Sequence, residues 1–359
     1  MAEKIGDDYF KIDPEPHLIG KDGSYYEYFP GYRMWWKAID NISRPLFSCT
    51  HPTIMAKAYE GLEEWEAQKN PDPSNILRAM DKYGVDIACL LPESCMDTCG
   101  YAGRFCTNGE MAGIVESNPD RFMYQPNMSP VKFKGVKNSI RELEYWVKEK
   151  KAKIFKYLCT EDTQINDPEL WPFYEKCEEL GIVLDIHTGM SWCPPQASKY
   201  ANPVFLDDVC RDFPGLTIIA FHMGYPYCDQ LNMVAMGHAN LYVCLSLLVP
   251  WAITAPRKFA TIIGEALRWV GPDKIIWGTD YAGFALQIKN AVEGLRDFQI
   301  PEDMQEGYGY PPITDEDRRK MFGGNLARLL GVDTTKRRVR NALQGSDAGT
   351  GCRGMKGCR

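Results

Sequence analysis

Four short apolar runs in this chain each end on a carboxylate or an imidazole. Residues 274–280 read Lys-Ile-Ile-Trp-Gly-Thr-Asp, 10–17 end in Glu-Pro-His, 182–187 end on His187, and 216–222 end on His222 before Met223-Gly224. A buried strand that delivers one polar residue at its C-terminal tip is how a (β/α)8 barrel presents chemistry, because the tips ring one open face. If the four runs are strands of one barrel, their tips converge on a point the size of a metal ion.

The spacing supports that reading. His187 and His222 stand 35 residues apart, and His222 and Asp280 stand 58 apart, two units of 29, close to the roughly 30 residues of a βα unit. Further strand-like runs at 85–91, 121–127, 152–158 and 240–247 complete the set, with 181–187, 216–222 and 273–280 as strands 5, 6 and 8. Helix-like runs at 136–151, 168–180, 203–212, 229–236, 256–270 and 286–298 alternate with them. Thr314-Asp315-Glu316-Asp317 opens a last amphipathic helix with an N-cap and an acidic first turn, stopping at Gly331. The expected fold class is α/β, a (β/α)8 TIM barrel as one domain over residues 1–332.

About 55 residues separate His17 from the helix-like run 75–84, an insertion over about 18–73, whereas barrel loops usually need about 2–6. Loops of that length after a barrel strand usually carry function. Its first half holds Tyr25, Tyr26, Tyr28, Phe29, Tyr32, Trp35 and Trp36 with Arg33 and Lys37. The stretch reads either as hydrophobic packing under the loop or as an aromatic cap over a flat substrate, with Arg33, Trp35 and Trp36 as candidate substrate contacts.

Charge and cysteine content narrow the function classes. The net charge of −7 hides a basic, Gly-rich tail over 333–359 whose residues after Asp333 carry +6, so the rest of the chain carries −13 and argues against general nucleic-acid binding. The tail itself reads as a solvated end. Apolar runs fall short of the about 20 residues a membrane span needs, and residues 1–8 lack the apolar core of a signal peptide. Thirteen cysteines without a CxxC pair suit reduced thiols and a cytoplasmic location; Cys95, Cys99 and Cys106 match no standard zinc spacing.

The polar tips form a ligand set. Glu15 and His17 lie two apart on a strand and so point the same way. With His187 and Asp280 they offer two imidazoles and two carboxylates, a set that neutralises a divalent cation and leaves room for water or substrate. His51 and His238 fall off the pattern.

Glu-x-His on strand 1, Asp-Ile-His-Thr-Gly on strand 5, Phe-His-Met-Gly on strand 6 and Trp-Gly-Thr-Asp on strand 8 resemble the amidohydrolase superfamily, in its branch related to aminocarboxymuconate-semialdehyde decarboxylase. Glu-x-His in place of His-x-His is similar to the γ-resorcylate and 5-carboxyvanillate decarboxylases of that branch. The resemblance implies nonoxidative loss of CO2 from a hydroxylated aromatic or unsaturated acid at one Zn2+ or Mn2+. It implies Glu15, His17, His187 and Asp280 as the metal shell and His222 as the unligated acid/base, in a homo-oligomer of two or four chains acting on a small molecule. One departure stands out: those decarboxylases commonly carry a Glu after the strand-6 His-x-Gly, and here the residues are Tyr225-Pro226-Tyr227. Lys156 occupies the strand-4 position where binuclear members carry a carboxylated lysine. Glu15 in place of a strand-1 histidine favours a single metal, which leaves Lys156 as a substrate-carboxylate anchor or a charged lining residue.

On this reading Asp280 protonates the ring carbon and His222 governs the protonation of a phenol or water. Two alternatives stay open: a metal-dependent hydrolase of a lactone, amide or C–C bond with the same residues, and a barrel that binds a metabolite without turnover.

Overall fold

A computed structural model describes residues 9–18, 51–68, 70, 72–93, 106–191 and 197–339. Eight parallel strands follow one another as β1 (Ile12–Asp13), β2 (Ile87–Leu90), β3 (Phe122–Tyr124), β4 (Ile154–Tyr157), β5 (Val183–Ile186), β6 (Thr217–Ala220), β7 (Leu241–Cys244) and β8 (Ile275–Ile276). Hydrogen-bonded ladders join them in sequence order, β1 to β3 in one sheet and β4 to β8 in a second.

Two seams join the sheets. Between β3 and β4, Lys156 N donates to Pro126 O (3.0 Å) and Lys156 O accepts from Met128 N (2.9 Å). Between β8 and β1, Pro16 bridges Tyr281, with His17 N donating to Tyr281 O at 2.7 Å. Pro14 and Pro16 have no N–H to give a ladder, so this seam is closed by side chains as well as backbone. The regular strands are therefore shorter than the sequence predicts. Run 273–280 pairs regularly only over Ile275–Ile276, and run 216–222 ends at Ala220, where Phe221–Gly224 form a tight turn.

Alternation along each strand divides two cores. Ile12, Ile87, Cys89, Ile154, Val183, Ile219, Cys244 and Ile276 form the smaller one, with Leu326 and Leu330 of the last helix packed on it. Their neighbours Ala88, Leu90, Phe155, Leu184, Ile218 and Val243 pack outward against the helices. On this pattern Lys156 and Asp185 are inward positions, directly opposite each other across β4 and β5.

Helices fall close to their predicted places: Val136–Lys148, Trp171–Glu179, Leu206–Asp212, Cys228–Gly237, Pro256–Trp269 and Ala285–Arg296. Pro73–Tyr83 starts at Asp72, which caps Ser74 N, and stops at Gly84 with φ +73. The last helix opens with the expected Thr314–Asp317 capping box but widens to π geometry over Lys320–Gly324. That places Gly323 so close to Phe10 that a Cβ would meet the Phe10 carbonyl oxygen at 2.2 Å.

Within the expected insertion, the described part contains helices Pro52–Ala58 and Glu64–Ala67; Arg33, Trp35 and Trp36 lie outside the described residues, as do Cys95 and Cys99. The expected solvated tail needs correction at its start. Arg337 Nε donates to both oxygens of buried Asp86 (3.0 and 2.9 Å) and Nη2 to Gly84 O (2.8 Å), while Arg338 N donates to Asp86 Oδ1 at 2.6 Å. Residues up to Val339 thus strap the N-terminal end of β2. No helix among the described residues is long and apolar enough to cross a membrane.

Candidate metal centre

The segment after β1 builds the site. Asp13, 2% exposed, accepts from Glu15 N (3.1 Å) and Thr279 N (3.1 Å), and also from the Thr279 hydroxyl. It clamps the segment carrying Glu15 and His17 to the one carrying Asp280. Burial pushes the Asp13 carboxyl up to about 6, against those hydrogen bonds. Pro16 O accepts from Leu91 N at 3.0 Å, which ties the same segment to β2. Asp280 sits at φ +54, and its carbonyl accepts from Gln287 Nε2 (3.1 Å) on the helix that follows.

Glu15, His17 and Asp280, all buried, each place one ligand atom within 4.8 Å of the others. His17 Nε2 is 2.9 Å from Asp280 Oδ1, and His17 Nδ1 is 3.4 Å from Glu93 Oε2. Glu15 Oε1 accepts from Lys156 Nζ at 2.8 Å and lies 3.5 Å from His222 Nε2. Glu15 Oε2 is buried with no hydrogen-bond partner among the described residues. Lys156 Nζ also meets Asp185 Oδ1 at 3.0 Å and stands 4.0 Å from the Phe221 ring centroid. Gln125 Nε2 donates to the other Asp185 oxygen.

Charges are distributed unevenly across this cluster. Burial raises the Glu15 pKa, but His222, Lys156 and His17 outweigh it and hold the carboxyl down to about 2. For His17, burial opposes the imidazolium, yet the hydrogen bond to Asp280 and the charges of Glu93, Asp280 and Glu15 raise it to about 9. Burial drives Glu93 up and drives Asp185 well up. Burial also weighs against the Lys156 ammonium, but Asp185 and Glu15 win and raise it. Two buried carboxyls thus share that one ammonium, Glu15 Oε1 at 2.8 Å and Asp185 Oδ1 at 3.0 Å.

The two histidines predicted at the tips of strands 5 and 6 stand together, with ring centroids 4.8 Å apart. His222 lies in the turn after β6 at φ +58, followed by Met223 at φ +51, left-handed geometry that costs about 1–3 kcal/mol per non-glycine residue and clusters at functional sites. Its Nδ1 lies 3.4 Å from Ser246 O and 3.3 Å from Ser246 Oγ. His187 Nε2 donates to Met190 O at 2.7 Å, and the ring falls outside the three-donor group. The chain turns back over His187 at Gly189, φ +86, where a Cβ would lie 2.2 Å from Tyr225 O. Burial first, then His222 and Lys156, push the His187 pKa well below its usual value.

Of the sequence-predicted ligands, then, Glu15, His17 and Asp280 converge, while His187 falls outside that group, its ring packed edge-on against His222. Glu93 belongs to the same cluster and was not anticipated, although 87–93 has the same form as the other runs, apolar and ending on a carboxylate. Cys106 is buried, and burial raises its thiol pKa.

A divalent cation fits this donor set. The group offers hard oxygen donors and an imidazole, which suits Zn2+ or Mn2+, and Glu15 Oε2 is a buried ionised oxygen without the partner that burial ordinarily demands.

The amidohydrolase family model matches residues 64–332; the chain belongs to the amidohydrolase family. It is 22% identical to 2-amino-3-carboxymuconate-6-semialdehyde decarboxylase of Dictyostelium discoideum, over 91% of this chain and 93% of that protein. In structure it is similar to an uncharacterized TIM-barrel protein of Bordetella bronchiseptica, with a TM-score of 0.61, 19% identity, and 89% and 98% of the two chains covered. It is also similar to 5-carboxyvanillate decarboxylase of Novosphingobium aromaticivorans, solved with bound manganese, at a TM-score of 0.57, 15% identity and coverages of 91% and 99%. These structural likenesses show the TIM-barrel fold.

Proposed function

We propose that the protein is a metal-dependent nonoxidative decarboxylase of a hydroxylated aromatic or unsaturated carboxylic acid, working with one Zn2+ or Mn2+. The observation that carries this is the convergence of Glu15, His17 and Asp280 within 4.8 Å at the barrel mouth. His187 becomes a fourth ligand if its ring exchanges the Met190 carbonyl for the ion. When bound, the cation supplies Lewis-acid polarisation and a template for the substrate carboxylate and a neighbouring hydroxyl.

The chain's own residues supply the proton chemistry. Asp280 gives a proton to the carbon that bears the carboxylate; the C–C bond then breaks, its electron pair returns to the ring and CO2 leaves. His222, beside Glu15 and oriented by Ser246, exchanges a proton with the substrate hydroxyl or a water. Lys156 has both carboxylates as partners, which speaks for a lining role over a substrate anchor. Arg33, Trp35 and Trp36 are proposed to cover an aromatic substrate, and the chain is proposed to work as a cytoplasmic homo-oligomer, which sedimentation would test.

Metal-replete protein assayed against hydroxybenzoates and lactones discriminates the readings. CO2 release from an aromatic acid is the expected outcome. Lactone or amide hydrolysis without CO2 would replace the decarboxylase by a hydrolase, and tight binding of an acid without turnover would leave a binding barrel.

A further inference from the structure

Lys156 is a fully buried cation beside the candidate metal centre. Its side chain is 1% exposed, between Glu15 (1%) and Asp185 (0%). Its backbone is fixed on both sides, by the seam to Pro126 and Met128 and by the ladder that sets it opposite Asp185. The ammonium is held in turn by Asp185, whose second oxygen is held by Gln125, and it lies against the Phe221 ring. Three successive strands thus determine where Nζ stands, and Nζ takes one oxygen of Glu15 at 2.8 Å while the other has no partner among the described residues.

We infer that Lys156 is a positioning residue of the metal centre: it occupies Glu15 Oε1 so that Glu15 presents Oε2 alone, as a one-oxygen ligand. The inference rests on the metal-centre reading above. It also gives the lysine a use that neither substrate binding nor a second metal requires.

The two effects of Lys156 on a bound cation have opposite signs, which makes the inference testable. As a nearby positive charge it repels the ion, so removing it as a charge alone tightens binding. As the group that orients a ligand its loss loosens binding, and removal of such outer partners typically costs about 10–100-fold in metal affinity. The experiment is a Mn2+ titration of the full chain, reading free Mn2+ by its EPR signal, on the wild type, Lys156→Gln, Glu15→Gln and the double variant. Expected are a loss of affinity of about 10–100-fold for Lys156→Gln and no further loss when it is added to Glu15→Gln, because the lysine acts through that carboxylate. Unchanged or tighter binding by Lys156→Gln, or an equal loss in the Glu15→Gln background, overturns the inference while leaving the metal centre standing. A wild-type chain with no Mn2+ or Zn2+ affinity overturns the metal-centre reading and the inference with it. Should Lys156→Gln not fold, the same four proteins in the Asp185→Asn background, where no second carboxylate is stranded, give the same comparison.

Discussion

Asp13 is the residue whose loss should do the most damage for its size. Its carboxylate receives the Glu15 and Thr279 amides and the Thr279 hydroxyl, all buried. Asp13→Ala strands three donors at a seam that Pro14 and Pro16 already deprive of ladder bonds. A buried donor left without an acceptor costs about 1–3 kcal/mol, and allowing for water to enter the gap the loss should total roughly 3–5 kcal/mol. Asp13→Asn is the control. Both amides go to Oδ1, which asparagine retains, and the Thr279 hydroxyl can turn to accept from the new amide nitrogen, so the cost falls to about 1 kcal/mol. Equilibrium urea unfolding followed by far-UV circular dichroism measures both, with the tryptophan fluorescence of buried Trp277 as a second probe near the seam. Mn2+ affinity should fall in parallel, since the clamp sets the distance from Glu15 and His17 to Asp280. If Asp13→Ala loses less than about 1 kcal/mol, or loses stability with unchanged metal affinity, the clamp does not position the site as argued.

Three further outcomes are expected. His222→Asn should keep its metal while turnover falls by about 100–10,000-fold, the usual range for a lost general acid or base; a variant that loses metal, by elemental analysis, would make His222 a ligand. Arg337→Ala removes a guanidinium from fully buried Asp86 and should cost roughly 1.5–3 kcal/mol in urea unfolding, whereas a chain ending at residue 339 should match the full chain; equal stability of the Arg337 variant would remove the strap. Changing Trp35 and Trp36 to Ala should raise KM for aromatic acids with little change in melting temperature, and an unfolded or kinetically normal variant would return that stretch to plain packing.

Much of the barrel was legible because a parallel strand buried on both faces is a short continuous apolar run, and from 85–91 onward such runs recur at nearly regular spacing. The runs overstate the strands for identifiable reasons. Pro14 and Pro16 interrupt the ladder at β1, and in the turn after β6 His222 and Met223 take positive φ, which no residue propensity anticipates. Glu15, His17 and Asp280 could be read as one site since each ends an apolar run. His187 could be placed at the mouth by the same rule, but the direction of its ring is decided by the Met190 carbonyl, a consequence of loop geometry. The pairing of Lys156 with Glu15 and Asp185 joins residues 141 and 29 positions apart, and it emerges only when β1, β4 and β5 are in register. Arg337 was read as tail because its acceptor, Asp86, lies 251 positions earlier.

The central claim is that the barrel mouth holds one divalent cation. Anomalous diffraction from crystals grown with Mn2+ tests it most directly. The account predicts one anomalous peak per chain within bonding distance of Glu15, His17 and Asp280, with Lys156 unmodified and still paired with Glu15. Two peaks bridged by Lys156, or a peak elsewhere with these three residues unchanged and empty, would contradict it.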